Sequence, residues 1–545
     1  MRIIDRRRRR THALTRTFAA AAAAALALAL AACGASSSGE GTGDPGTPQR
    51  GGSVKVLLPV AHEGGWAGGL DPATNPTGGS NLPQMQAIFG GLFLLRADDD
   101  GDNARVVPNQ ARSYQLSDGG RTLTIRLRPG ITFSDGTPMD AAAVAWNFRR
   151  DIGSPCSCAP TWELAKGDPI RTPDDLTVVV HLARPNGALI SNFTVSNVNW
   201  IASPTALRKL GTARFKVAPV GAGPFVVKSD QLSSELVLER NAHYFRKGLP
   251  YLDTLTFTSI EGDQPGYQVL QSGQAQGYIG MATVSILEQA KENPDLQVTP
   301  GPPTSPYFIQ LNTMAAPFDD IRARKAIYYA TDFQAIADGI FDGAYPVSES
   351  FTAPGGLFHH AKVPGYLHYD LDKAKQLVQE LGGLTVHLGT SDDQNNRQLA
   401  VALQTQWEKA GMKVEVSAYQ LQPKIQQYTA GTWQAMVATA GSWDPAAGIG
   451  VIFRFASDSA FTGVKDPRLD RMLDESVATT DPDRRDAIYQ QMAAYVAKQA
   501  YGPFGIAFSP ANVAVKGVYG PGLTTPIPAM AVDTAVVWDE VWTNR

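Results

Sequence analysis

The first forty residues constrain this chain more than any other stretch, because they decide where the rest must fold. Five consecutive arginines, Arg6 to Arg10, with Arg16 behind them, precede an apolar run from Phe18 to Ala32. Small residues then lead into Leu30-Ala31-Ala32-Cys33-Gly34. A basic head, an apolar core and a small-residue cut site make a secretory leader. A cysteine at the cut turns that leader into a lipid-attachment motif: the Cys33 thiol takes a diacyl group before cleavage, and the freed amine is acylated afterwards. The apolar run is about 15 residues, short of the roughly 20 that span a bilayer core, which disfavours a permanent membrane helix. Two or more acyl chains anchor a protein stably. The expected setting is the outer face of a bacterial cytoplasmic membrane.

Charge narrows the partners. The leader holds seven of the 48 basic residues and one of the 51 acidic ones, leaving the mature chain a net charge of about −9, which argues against nucleic acid or an anionic membrane surface as partner. Gly34 to Arg50 (GASSSGEGTGDPGTPQR) is a Gly/Ser/Pro/Thr tether with almost no apolar residue, expected to be disordered. About 495 residues follow, too many for a single core, so two or three lobes are expected. Besides Cys33 the chain has Cys156 and Cys158. Outside the cell two thiols normally oxidise, and the one-residue spacing makes an intramolecular bridge a tight ring. No further Cys or clustered His completes a metal set around them.

Several segments read as elements. Ser53 to Pro59 is a strand, followed by a glycine-rich loop around Trp66. Arg121 to Arg128 alternates apolar and polar residues with period two, as in a half-buried strand. Ala141 to Arg150 reads as a helix with Asp140 as its cap, and Leu176 to Leu182 as a strand. Leu384 to Leu388, Arg397 to Ala410 and Lys413 to Ala418 form a βαβ unit, which requires a parallel pair. The helix opening at Asp481-Pro482 carries a buried stripe of Ile488, Met492, Tyr495 and Val496. Gly505 to Phe508 and Ala511 to Val515 read as strands.

Four dispersed segments carry a resemblance. They are Val107 to Pro138 (VPNQARSYQLSDGGRTLTIRLRPGITFSDGTP), Val220 to Phe225 (VGAGPF), Arg240 to Pro250 (RNAHYFRKGLP), and Leu311-Asn-Thr through Pro317-Phe-Asp-Asp-Ile-Arg-Ala-Arg-Lys-Ala-Ile327 to Thr331-Asp332. In this order, across Gly51 to Trp542, the chain resembles the extracytoplasmic solute-binding proteins of ABC importers, in the large peptide/nickel/opine-type family 5. Ala143 departs from the pattern, which has an acidic residue before the valine that opens the helix.

The resemblance implies an α/β, type II periplasmic-binding-protein-like fold, with two lobes joined by a hinge and an extra subdomain in the first. Residues 1–32 are then the leader and 33–50 the tether. Lobe I comprises 51–85, 214–298 and 505–545, its subdomain 86–213, and lobe II 299–504. Crossings are expected near Gln297 to Ser305 and Gln499 to Phe504. The implied function is non-enzymatic: a monomeric, lipid-anchored component captures a small solute, most readily an oligopeptide, in a closing cleft and delivers it to an ABC permease. No cofactor and no metal are implied.

In peptide-binding members a Trp followed by an Asp holds the ligand, which here falls on Trp443 and Asp444. The carboxylate would meet the peptide's amine and the indole a flat apolar wall. The segment is shorter than the family pattern, so Asp444 reads equally as the start of an Asp-Pro turn. Trp66 is a cleft-lining candidate or a packing aromatic. Tyr307 and Asn312 follow the first crossing on a strand that reaches the cleft. Arg454 can meet a ligand carboxylate bidentately, or be a surface arginine on a buried strand.

Other signals carry less. Gly41 to Gly46 spells GxGxxG inside the tether, without the flanking strand and helix that dinucleotide binding needs. His359, His360 and His368 sit among loop residues, and Asp98 to Asp102 fails the calcium-loop template. Two rival readings stay open: a secreted lipoprotein hydrolase acting on envelope material, and a sensor or adhesion lipoprotein on the same fold.

Overall fold

The computed structural model describes residues 46–60, 65–75, 81–97, 104–154, 162–303, 305–439, 443–447, 454–526 and 536–545. Cys33, Cys156 and Cys158, and the tether up to residue 45, lie outside the described residues. Among those described, no helix is long and apolar enough to cross a membrane.

Strands β1 (Ser53–Pro59), β2 (Phe93–Ala97), β3 (Ala104–Pro108), β4 (Ala111–Ser117), β5 (Thr122–Leu127), β6 (Ile170–Asp174) and β7 (Thr177–His181) come first. Then follow β8 (Phe225–Gln231), β9 (Glu235–Arg240), β10 (Thr254–Ile260), β11 (Gly277–Met281) and β12 (Leu296–Pro300). The later strands are β13 (Ser305–Leu311), β14 (Thr385–Ser391), β15 (Lys413–Tyr419), β16 (Ala435–Thr439), β17 (Phe504–Phe508) and β18 (Ala511–Val515).

They build three larger sheets. A seven-stranded sheet runs β12-β18-β11-β1-β10-β9-β8, a five-stranded sheet β15-β14-β16-β13-β17, and a four-stranded sheet β4-β5-β7-β6. The four-stranded sheet shows how alternation becomes a core. Leu123, Ile125 and Leu127 on β5 are buried while Arg126 faces out, and the buried set meets Phe148, Trp162, Val178, Val180 and Phe193. The helix above it, Ala141–Ile152, begins where Asp140 accepts from the Ala143 N–H at 2.8 Å. The residue at the pattern's departure thus supplies its amide to the cap and its small side chain to the core.

The βαβ unit forms as the pattern requires: β14 and β15 pair in parallel, Thr385 opposite Lys413 through Ser391 opposite Tyr419, around the helix Gln394–Lys409. The helix Pro482–Gln499 is capped by Asp481 and buries Ile488, Met492 and Val496. Tyr495 is only half-buried, its hydroxyl donating to Asp466.

The chain passes between the seven- and five-stranded sheets twice. The first passage leads from β12 to β13. The second does not fall at Gln499 to Phe504: β17 pairs with β13 in the five-stranded sheet and β18 with β11 and β12 in the other, so the change of sheet occurs at Ser509-Pro510. The two passages are tied together, Gly301 N–H donating to Pro510 O at 2.9 Å and Ser509 Oγ donating to Gly301 O.

Candidate functional site

The C-terminal end of the five-stranded sheet gathers the chemistry. β14, β15 and β16 run parallel there, and β16 turns antiparallel to β13 on its other side. In open α/β sheets the crevice beyond the carboxyl ends of parallel strands is where ligands sit. The ladder between β14 and β16 stops at Gly389 opposite Met436. On its other edge β16 bonds β13 through its even-numbered residues, as the Asn312 N–H to Gln434 O bond at 2.8 Å shows. Alternate residues face alternate neighbours, so the carbonyls of Val437 and Thr439 point toward β14, where no strand meets them.

Two cations take those carbonyls. Arg454 Nη2 donates to Thr439 O at 2.6 Å, and Lys424 Nζ donates to Val437 O at 3.0 Å and to Ser391 Oγ at 2.8 Å. Arg454 is 7% exposed, and its guanidinium lies between Phe308 and Phe461, 5.5 and 5.4 Å from the ring centroids. It has no carboxylate partner among the described residues, and its Nε–H is buried without an acceptor. Burial pulls its pKa down to about 10. A buried guanidinium with one N–H lacking an acceptor among the described residues is costly unless a further partner meets it. Burial, and then Arg454 itself, pull Lys424 down to about 8, against a pull upward from Asp393.

The other sequence-derived residues fall elsewhere. Trp66 is 1% exposed inside the core under β1, its Nε1–H donating to Asp230 Oδ1 at 2.9 Å. That is the position of a packing aromatic. Tyr307 is 3% exposed, stacked on Phe341 at 6.2 Å and edge-on to Phe508; burial raises its phenol well above the ordinary range. Asn312 fastens a strand end, its Nδ2 donating to Trp433 O at 2.9 Å and its Oδ1 accepting from Met314 N–H.

Asp444 is fully buried. Its two carboxylate oxygens accept from Arg485 Nη1 at 3.0 Å and Nη2 at 2.7 Å, and Oδ1 also takes the Ala446 N–H. The Ala447 N–H closes the turn on Asp444 O at 2.8 Å. Burial is the largest influence and lowers the Arg485 pKa, but the charges and hydrogen bonds of Asp444 and Tyr489 together outweigh it and the net shift is upward. This is the turn arrangement, with the carboxylate engaged by a guanidinium rather than held open for an amine. Beside the turn Trp443 is buried in a cluster with Leu95, Ala104 and Val106 of the β2–β3 hairpin and with Leu357. Ala446 O accepts from Asn192 Nδ2, and Ala447 enters the core beneath β1. Trp443 therefore sits where the two halves of the molecule meet.

A second contact between halves lies at Gly187, whose N–H donates to Val477 O at 2.7 Å. Beside it Arg184 reaches Asp474 at 3.1 Å while pairing with Glu163. Among the described residues no group of three or more His, Cys, Asp or Glu is placed to hold a metal.

Comparison with known proteins decides the class. Residues 105–460 match the family described as Bacterial extracellular solute-binding proteins, family 5 Middle. The chain belongs to this family. Its members are the solute-binding proteins of ABC importers, so the chain is the extracytoplasmic substrate-binding component of such an importer and not an enzyme. Among its relatives is the glutathione-binding protein GsiB of Pectobacterium atrosepticum, 28% identical over 74% of this chain and 80% of that one. GsiB of Escherichia coli K12 is 30% identical over 61% of this chain and 64% of that one.

Solved structures share the fold. A dipeptide-binding protein from Pseudoalteromonas sp. SM9913 in complex with Met-Leu superposes with a TM-score of 0.76 at 17% identity, over 90% of this chain and 100% of that one. AgaA from A. tumefacien R10 in complex with agropinic acid gives 0.75 at 22%, over 91% and 99%. NikZ from Campylobacter jejuni in complex with Ni(L-His) gives 0.73 at 18%, over 87% and 96%. The fold is therefore the two-lobed type II architecture of family 5. Sequence reasoning missed Lys424, Arg485, Phe308 and Phe461. Only Phe308 and Phe461 had a signal, as aromatics close in sequence to residues already singled out.

Proposed function

We propose that this solute-binding protein captures a small peptide-like solute by its carboxylate, on Arg454, between halves that close about the passages at Gly301–Pro303 and Ser509–Pro510. The single observation behind this reading is the buried guanidinium of Arg454, between two aromatic rings and with its Nε–H lacking an acceptor among the described residues. A carboxylate arriving there forms charge-assisted hydrogen bonds, which are stronger than neutral ones and stronger still away from water. Lobe I then comprises β1, β8 to β12 and β18, its subdomain the four-stranded sheet, and lobe II β13 to β17. Trp443 closes the seam between them. The relatives whose names include glutathione, and the neighbour holding Met-Leu, support a peptide-like ligand. Cys33 carries the lipid that keeps the receptor, a monomer, beside its permease.

Calorimetric titration with glutathione and with Met-Leu tests the reading. Binding of at least one at micromolar to millimolar concentration is expected, with at least a tenfold loss in Arg454→Gln. Equal binding by the variant would refute the role of Arg454. Mass spectrometry of the protein extracted from bacterial membranes tests the anchor: a diacylglyceryl group on Cys33 is expected, and an unmodified Cys33 refutes it.

A further inference from the structure

We infer that Lys424 is a second anion contact beside Arg454, so that the preferred solute carries two carboxylates; this rests on the carboxylate reading of Arg454. The two side chains hold the carbonyls of Val437 and Thr439, which lie two residues apart on one edge of β16. That spacing sets the anchor points roughly 7 Å apart. Lys424 also reaches Ser391 at the end of β14, so it bridges the crevice that the β14–β16 ladder leaves open.

The placement is unfavourable for an empty protein. Lys424 is the fourth residue of the helix Leu421–Ala430, and a cation in a first turn opposes the helix dipole. It stands next to a second cation and has no carboxylate partner among the described residues. The nearby acid, Asp393, uses its carboxylate to cap the helix Gln394–Lys409, taking the Asn396 N–H at 3.0 Å and the Asn396 Nδ2 at 2.8 Å. Two neighbouring cations, one of them more than nine-tenths buried, are compensated by an incoming dianion. A single carboxylate on Arg454 leaves Lys424 unmatched.

The test is calorimetry with three probes: Ala-Glu, Ala-Gln and the C-terminal amide of Ala-Gln, against the native chain, Lys424→Met, Lys424→Arg and Arg454→Gln. The expected result is Ala-Glu binding about tenfold or more tighter than Ala-Gln. Lys424→Met narrows that preference to within about twofold, and Lys424→Arg keeps it. Equal affinity of the native chain for Ala-Glu and Ala-Gln overturns this inference alone, as does a Lys424→Met loss equal for both. Equal affinity for Ala-Gln and its amide, with no effect of Arg454→Gln, overturns the underlying reading. Absence of binding by all three at millimolar concentration overturns both.

Discussion

Gly187 gives the sharpest test of capture by closure. A Cβ built on this residue would lie 2.0 Å from Thr479 O and 2.8 Å from its carbonyl carbon, with Thr480 Cα at 3.1 Å. These are backbone atoms at the end of the helix Pro467–Ala478, so no side-chain rotation relieves the clash. The two segments must separate by more than an ångström. That separation also breaks the Gly187 N–H to Val477 O bond, worth about 1 kcal/mol, and adds overpacking of about 1–3 kcal/mol. Both terms act where the halves meet and neither acts within a lobe. Gly187→Ala therefore weakens solute binding by about 2–4 kcal/mol, a loss of roughly 30- to 1000-fold in Kd. The melting temperature of the solute-free protein is expected to fall far less. Calorimetry beside thermal unfolding of the empty protein reads both quantities. Native affinity in Gly187→Ala refutes the argument.

Three further outcomes are expected. Asp444→Ala strips the buried Arg485 of its counter-charge and lowers unfolding stability by about 3–5 kcal/mol in a denaturant titration; a change below 1 kcal/mol contradicts the placement of that pair. Trp66→Phe removes the bond to Asp230 and leaves that carboxylate with one partner fewer, so stability falls by about 1–3 kcal/mol while solute affinity stays within about twofold; a large affinity loss restores Trp66 to the cleft. Lys424 has a folded pKa of about 8, depressed from its ordinary value by burial and by Arg454 and partly restored by Asp393. Above that value the unfolded chain binds more protons than the folded one, so the empty protein gains stability relative to Lys424→Met as pH rises from about 8 toward 10. Parallel pH profiles for the two proteins contradict this.

Much of the fold was legible because local chemistry and tertiary role agree there. Arg121 to Arg128 alternates, and β5 buries alternate residues. Asp140 and Asp481 read as caps and accept the amides of Ala143 and Arg484. The misplaced second crossing has a physical cause. Every residue of β17 and of β18 is buried, so neither strand has a polar face to say which sheet it joins, and the break between them is only Ser509-Pro510.

The site was less legible. Arg454 could be named from its aromatic neighbours, but its burial depends on Phe308, which is distant in the chain. Lys424 sits in LQPKIQQYTA, which reads as a solvated helix face. Its role comes from the β14–β16 ladder stopping at Gly389 and Met436 while both strands run on, which no local pattern encodes. Asp444 read as a ligand or a turn residue with equal force, because its partner Arg485 lies on a separate helix.

Capture of a carboxylate-bearing solute is best tested by native mass spectrometry of the protein purified from its own host. One small molecule per chain is expected, bearing at least one carboxylate and released on denaturation, and absent from Arg454→Gln. A bound solute without any carboxylate, or a native chain and variant equally empty after purification in solute-rich medium, would contradict it.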